Sequence, residues 1–263
     1  SSARTDAVAG RSPVPAAVRT YRVDLAYDGT DFHGWARQRG LRTVQGELEA
    51  AFERHLRRPV ALVVAGRTDA GVHAAGQVAS FRDAIEDPDL LARALNGMLG
   101  PEVAVRSVRA AADDFHARFS ATAREYRYRI RTAVSPDPFG HRFAWYLPGE
   151  LRVGAMRRAA ASLVGEHDFA AFCRRPPTGT TVRRLERLTV AAVPEGIEVG
   201  ARANAFLHQM VRSLVRLLVE VGRGRVGADE VAGILVARDR SRTPGPAPAQ
   251  GLTLERVVYG RRL

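Results

Sequence analysis

The run "VALVVAGRTDAGVHAAGQVASF", Val60 to Phe81, holds two apolar segments around a loop with a single acid, Asp69. "VALVV", Val60–Val64, reads as a strand, and "QVASF", Gln77–Phe81, as a second one. "AGRTDAGVHA", Ala65–Ala74, is then the connection between them. Gly66 and Gly71 let its backbone turn sharply and let a ligand come close.

Working outward, "YRVDLAYDG" alternates and reads as a strand over Tyr21–Asp28. Val44, Leu48, Ala51, Phe52 and Leu56 recur at helical spacing behind Thr43, a suitable cap. Pro88–Leu99 reads as a helix and Val103–Val108 as a strand. Strand, helix, strand, strand, helix, strand is the split βαβ pattern of ferredoxin-like folds. The second half repeats the scheme in topology: "REYRYRI", Arg124–Ile130, as a strand, and Arg152–Leu163 as a helix. A hairpin over Leu185–Val193 and Ile197–Ala203 follows, then a long helix over Ala205–Val221 and a closing strand over Leu254–Val258. Arg174–Arg184 reads as a basic loop and Thr243–Gly251 as a Pro-rich one. The expected domains are a disordered leader over 1–20, an N-terminal half over 21–112 and a C-terminal half over 113–263. An Arg-rich, acid-poor transit peptide is the other reading of the leader.

Composition narrows the function classes. The formal net charge is +12 and the pI about 11.1, which calls for a polyanionic partner. All 40 basic residues are arginine. Schiff-base lysine chemistry and a P-loop lysine are therefore excluded, whereas bidentate phosphate contacts are favoured. Cys173 is the sole cysteine, so an internal disulfide and a cysteine-based zinc site are excluded; this suits a reducing cytoplasm. No apolar run approaches the ~18 residues of a membrane span. The histidines are scattered singly, with no legible metal cluster, and His73 reads as a packed or hydrogen-bonding side chain.

A carboxylate beside arginine stays ionised. It serves poorly as a general acid and well as a nucleophile, an electrostatic partner or a weak base. Spacing alone favours a plainer role for Asp69, capping a turn with Arg67 as its surface ion pair. No second acid stands at turn or helical spacing to it, so a glycosidase pair is not evident. In "REYRYRI", Tyr126, Tyr128 and Ile130 share one face, and Arg127 and Arg129 the other. Tyr128 reads as core. Arg212 and Arg216 lie one helical turn apart, free by spacing to be a solvated face or to neutralise Asp69.

"AGRTDAGVHAAGQV" resembles the catalytic signature of the tRNA pseudouridine synthase A family. So, in family order, do "YDGTDFHGWARQ", "RTVQGELEAA", "DDFHARFSATAREYRYRI", "GEHDFAAF" and "ANAFLHQMVRSLV". Ala36 stands where the family commonly has Gln. The resemblance implies an isomerase that converts uridine to pseudouridine at three neighbouring positions of the tRNA anticodon stem-loop, with no cofactor and no metal. It places the essential nucleophile or base at Asp69. Attack at C1′, attack on the uracil ring and abstraction of a sugar proton all stay open. Tyr126 would stack on the target uracil and help remove its C5 proton, Arg212 would pair with Asp69, and Arg67 would help extrude the base. The implied fold is α+β: two ferredoxin-like halves in one continuous, mostly antiparallel sheet, with helices on one side and a basic active-site cleft on the other. The implied assembly is a cytoplasmic homodimer whose tRNA touches both subunits. A non-catalytic tRNA-binding protein of the same fold is the alternative.

Overall fold

The computed structural model describes residues 17–174 and 179–260. Most of the expected leader and part of the basic loop Arg174–Arg184 lie outside the described residues.

The first half runs β1 (Arg19–Tyr27), α1 (Val44–Leu56), β2 (Val63–Val64), β3 (His73–Asp83), α2 (Pro88–Leu99) and β4 (Val103–Ala110). Thr43 caps α1, its hydroxyl accepting from the Gly46 N–H at 3.2 Å. Asp87 caps α2 through the Leu90 N–H at 2.8 Å, and Pro88 occupies the first turn, where its missing N–H leaves no bond unmade. The expected strand over Val60–Val64 shrinks to two paired residues. The Leu62 N–H is taken by the Glu49 side chain on α1 at 3.2 Å, outside any strand ladder. Conversely β3 begins at His73, inside the expected connection, because His73 and Ala74 pair with the last strand of the chain.

The second half runs β5 (Ala121–Arg131), β6 (Trp145–Tyr146), α3 (Val153–Ala161), β7 (Gly165–Asp168), β8 (Val182–Val193), β9 (Gly196–Ala203), α4 (Met210–Gly222), α5 (Glu230–Ala237) and β10 (Leu252–Tyr259). Three of these are absent from the sequence reading: β6, β7 and α5. β8 starts inside the expected basic loop, since Val182–Leu185 pair with β7. α4 starts at Met210 and not at Ala205. Gln209 is left-handed (φ 63°), which interrupts a helix there, and the Asn204 side chain instead accepts from the Arg184 and Ala205 N–H groups at 3.0 and 2.8 Å.

The ten strands form one sheet in the order β4-β1-β3-β10-β5-β9-β8-β7, with β2 on β3 and β6 on β5. Only the β3–β10 and β5–β6 pairs are parallel among the described residues. Among the described residues the fold is thus mixed α/β, a large, mostly antiparallel sheet with five α-helices.

Two apolar clusters cover the sheet. One gathers Val23, Leu25, Leu48, Phe52, Leu91 and Leu95 with Leu254; the other gathers Tyr128, Ile130, Leu188, Leu214, Leu217 and Leu252. Leu252 and Leu254 are two apart on β10, so both clusters lie on one face, with the helices. Tyr126 touches both. On the opposite face, Arg127 pairs with Glu198 and Glu255, and Arg202 with Glu125 and Glu186.

Candidate active site

The Asp69 loop has its backbone bonded on nearly every side. The Ala65 N–H donates to the Val78 carbonyl at 2.8 Å, and the Thr68 carbonyl accepts from the Trp35 N–H at 3.0 Å. The Val72 N–H closes a turn onto the Asp69 carbonyl at 3.1 Å, and Gly71 in that turn has φ 75°. A positive φ at the third turn position suits glycine best. The Gly66 carbonyl accepts from the Gln77 amide at 2.8 Å; the same amide donates to the Tyr27 hydroxyl at 3.1 Å, which lies 2.8 Å from the Thr68 hydroxyl. Burial pushes the Tyr27 phenol up to about 12, against the smaller pull of its bonds to Thr68 and Gln77. The stretch "YDGTDFHGW" is the other half of this mount. The Phe32 carbonyl accepts from the Gly71 N–H at 3.2 Å, and a Cβ on Gly29 would overlap the Val72 carbonyl.

On this mount stands the Asp69 carboxylate, about one-fifth exposed. Its Oδ2 accepts from Arg212 Nη1 at 2.9 Å, and its Oδ1 lies 3.4 Å from His208 Nε2. Arg212 is itself fixed by its Nε donating to the Ala247 carbonyl at 2.7 Å, while the Ala247 N–H returns a bond to the Arg212 carbonyl at 3.0 Å. Ala247 belongs to the Pro-rich loop, which therefore braces the site from behind. Arg67 is exposed and makes no ion pair among the described residues. The turn-cap reading, with Arg67 as the partner of Asp69, is thereby replaced: the partner is Arg212.

Tyr126 is half-buried, edge-on to Phe206 with ring centroids 5.2 Å apart. Burial, with the charges of Tyr27 and Asp69 behind it, raises its phenol well above the ordinary range. Tyr128 is core, as expected, its hydroxyl donating to the Pro248 carbonyl at 2.7 Å. Arg216 pairs with Glu220 at 2.9 Å and takes no part. Tyr126 shares the inward face of β5, and Arg212 reaches Asp69 from α4. The group therefore gathers on the helix face, at the seam of the two cores, and not on the opposite face expected for the cleft. The reason is alternation: residues two apart from the buried Tyr128 and Ile130 must point the same way.

Two residues of this constellation were not singled out from the sequence. Arg124 is buried, and burial lowers its pKa. Its Nη2 donates to the carbonyls of Ala65 at 2.8 Å and Arg118 at 2.7 Å, and its Nη1 to Asn204 at 2.8 Å. It thus ties the entry of the Asp69 loop to the segment that leads into α4. The cue was an arginine on the apolar face of an alternating strand. His208 gave no cue, being one of several isolated histidines. His73 is buried; its Nδ1 accepts from the Gly29 N–H at 3.0 Å, and its Nε2 lies 3.2 Å from the Gln250 carbonyl. Burial lowers its pKa despite Asp28 at 3.1 Å. An Nδ1 that accepts cannot also donate to Asp28, so the neutral, Nε2-protonated ring satisfies the Gly29 and Gln250 contacts and leaves the Asp28 approach without a proton between the two atoms.

The arrangement offers a fixed carboxylate with a guanidinium on one oxygen, an imidazole on the other and an aromatic ring beside them. That suits nucleophilic or basic chemistry at a ring-bearing substrate. Among the described residues, no three His, Cys, Asp or Glu side chains are grouped to hold a metal ion, and no helix is long and apolar enough to cross a membrane.

A family model described as tRNA pseudouridine synthase matches residues 25–120 and 159–260. The chain is 51% identical to the tRNA pseudouridine synthase A of Frankia casuarinae, over 90% of this chain and 88% of that one. It is 46% identical to the Corynebacterium glutamicum protein of that name, over 90% and 88%. It is 43% identical to that of Brevibacillus brevis, over 92% and 100%. With a family match over most of its length and relatives this similar, the chain belongs to the tRNA pseudouridine synthase family.

Proposed function

We propose that this chain isomerises uridine to pseudouridine in the anticodon stem-loop of tRNA, with Asp69 as the essential nucleophile or base. The observation that carries the assignment of roles is the Asp69–Arg212 pair, 2.9 Å apart, with Asp69 on a loop held by several backbone hydrogen bonds and Arg212 on α4. The reaction breaks N1–C1′, turns the uracil and joins C5 to C1′; nothing is oxidised or added. What the protein must supply is a fixed charged group and a surface that holds the loosened base. Arg212 offsets the carboxylate's charge and fixes its direction. The ring of Tyr126, next to it, stacks on the uracil. Arg67, exposed on the same loop, fills the space a target base leaves when it is extruded from its stack.

The halves over 21–112 and 113–263 are ferredoxin-like units on this reading, supported by the separate apolar clusters and by the order β4-β1-β3 with β2 on β3. A basic cleft at their seam would receive the anticodon stem-loop. The net charge of +12 supports binding mainly through backbone phosphates, with strong salt dependence. The family resemblance supports a cytoplasmic homodimer in which one tRNA touches both subunits.

The test is incubation of the protein with unmodified tRNA carrying tritium at uridine C5. Isomerisation releases tritium to water and leaves the RNA chain whole without free uracil. Binding without release would favour the tRNA-binding alternative, and free uracil would indicate a glycosidase.

A further inference from the structure

We propose that His208 is a further catalytic residue: its imidazole takes the proton from uracil C5 once C5 is joined to C1′, and passes it to water. The proposal rests on the isomerase reading.

Whichever route Asp69 follows, C5 comes to carry both its hydrogen and the sugar. The C5–H bond must then break. Where C6 is free of the enzyme, the C5–H electron pair becomes the C5=C6 bond, the N1=C6 pair returns to N1, and N1 takes a proton. Where Asp69 is joined to C6, the same pair forms C5=C6 while the C6–O bond breaks and its pair returns to the carboxylate, N1 having taken its proton when N1–C1′ was cleaved. One proton leaves and one arrives, so the step balances without an oxidant or a reductant. It needs a base that is close to Asp69, unprotonated near neutral pH and open to water.

The neighbours of the carboxylate differ sharply on these counts. Arg212 keeps its proton. Burial holds Tyr126 in its neutral phenol form, which is a poor base. Asp69 has one oxygen engaged by Arg212. His208 Nε2 lies 3.4 Å from the other oxygen, and the side chain is 48% exposed, so it stands beside the carboxylate and open to bulk water. An imidazole with one ring nitrogen unprotonated offers a lone pair that can take a proton.

The backbone is bent to put it there. Gln209, next in sequence, holds φ 63° without being glycine, a left-handed conformation that strains a residue with a Cβ. The bonds from the Met210 N–H to the Leu207 carbonyl at 3.1 Å and from the Ser213 N–H to the Gln209 carbonyl at 2.9 Å maintain it. The His208 carbonyl accepts from the Arg174 N–H at 3.2 Å. Strain of this kind concentrates at working sites, and here its result is that His208 faces Asp69 from just outside α4.

The experiment follows pseudouridine formation by the full chain on tRNA with protium or deuterium at uridine C5. For His208→Gln we expect a rate about 100-fold or more below wild type, with tRNA affinity and melting temperature unchanged. A primary C5 deuterium effect, larger than in wild type, should appear as proton removal becomes limiting. His208→Gly should regain part of its rate when imidazole is added. A His208→Gln rate within a few-fold of wild type overturns the proposal, and so does a slow variant with no C5 isotope effect. Wild-type protein that forms no pseudouridine would instead sink the isomerase reading.

Discussion

Asp69 and Arg212 stand 143 residues apart in the chain and 2.9 Å apart in space. Arg212→Lys keeps the charge but loses the guanidinium fork that holds Asp69 and the Ala247 carbonyl together. A hydrogen bond to a charged group is worth about 1.5–3 kcal/mol, so kcat should fall roughly tenfold to a hundredfold with little change in KM. Steady-state kinetics on tRNA would check this, and an unchanged kcat would count against the clamp. His73 gives a stability prediction. Its folded-state pKa is depressed below 6.5, so the unfolded chain binds the proton first. Stability is then complete above about pH 6.5 and declines as pH falls below it. Thermal melts from pH 8 to 5 should show the decline, with a flatter profile in His73→Gln. At this scale the family motifs singled out Asp69, Tyr126, Arg212 and Arg67, and the structure brings Asp69 and Arg212 into contact; spacing alone would have left Asp69 a turn cap. Arg124 went unread although it begins a quoted motif, because its partners are carbonyls, which leave no mark in sequence.

Elements with strong local signals were legible to the residue. α1 and α2 have apolar periodicity and caps, and their bounds agree with the sequence reading. The failures occur where tertiary contacts override local preference. β2 is short because Glu49 takes a strand N–H, β3 is long because β10 arrives beside it, and α4 is delayed by Gln209. β6 and β7, of two and four residues, have too few positions to show alternation. The start of α4 can be tested directly. Gln209→Gly relieves the left-handed strain and should leave the melting temperature unchanged or higher. Gln209→Val, β-branched and with a forbidden φ, should lower stability by about 2 kcal/mol or more, read by denaturant melts. Equal effects of the two changes would show that Gln209 is not strained in solution. The Pro-rich loop gains a task at this scale: Ala247, Pro248 and Gln250 bond Arg212, Tyr128 and His73.

Across the whole molecule, β10 is the strand that makes one sheet of two parts. It pairs with β3 on one side and β5 on the other, bringing the Asp69 loop beside the strand that carries Tyr126. Its place beside β3 was not legible, since a closing strand can add to either edge of a sheet. The face chosen by the site was not legible either, because a loop's side of the sheet depends on the helices packed there. Once the chain is closed this way, Asp69 comes from one part and its guanidinium partner, Arg212, from the other. The account's central claim is that the Asp69 carboxylate performs the isomerisation at that seam. Tritium release from tRNA labelled at uridine C5 should be measured for the wild-type chain and Asp69→Asn side by side, with tRNA affinity and melting temperature recorded for both. The account predicts release by the wild-type chain and none by Asp69→Asn, with affinity and folding preserved. Release by Asp69→Asn at a rate near that of the wild-type chain would contradict it.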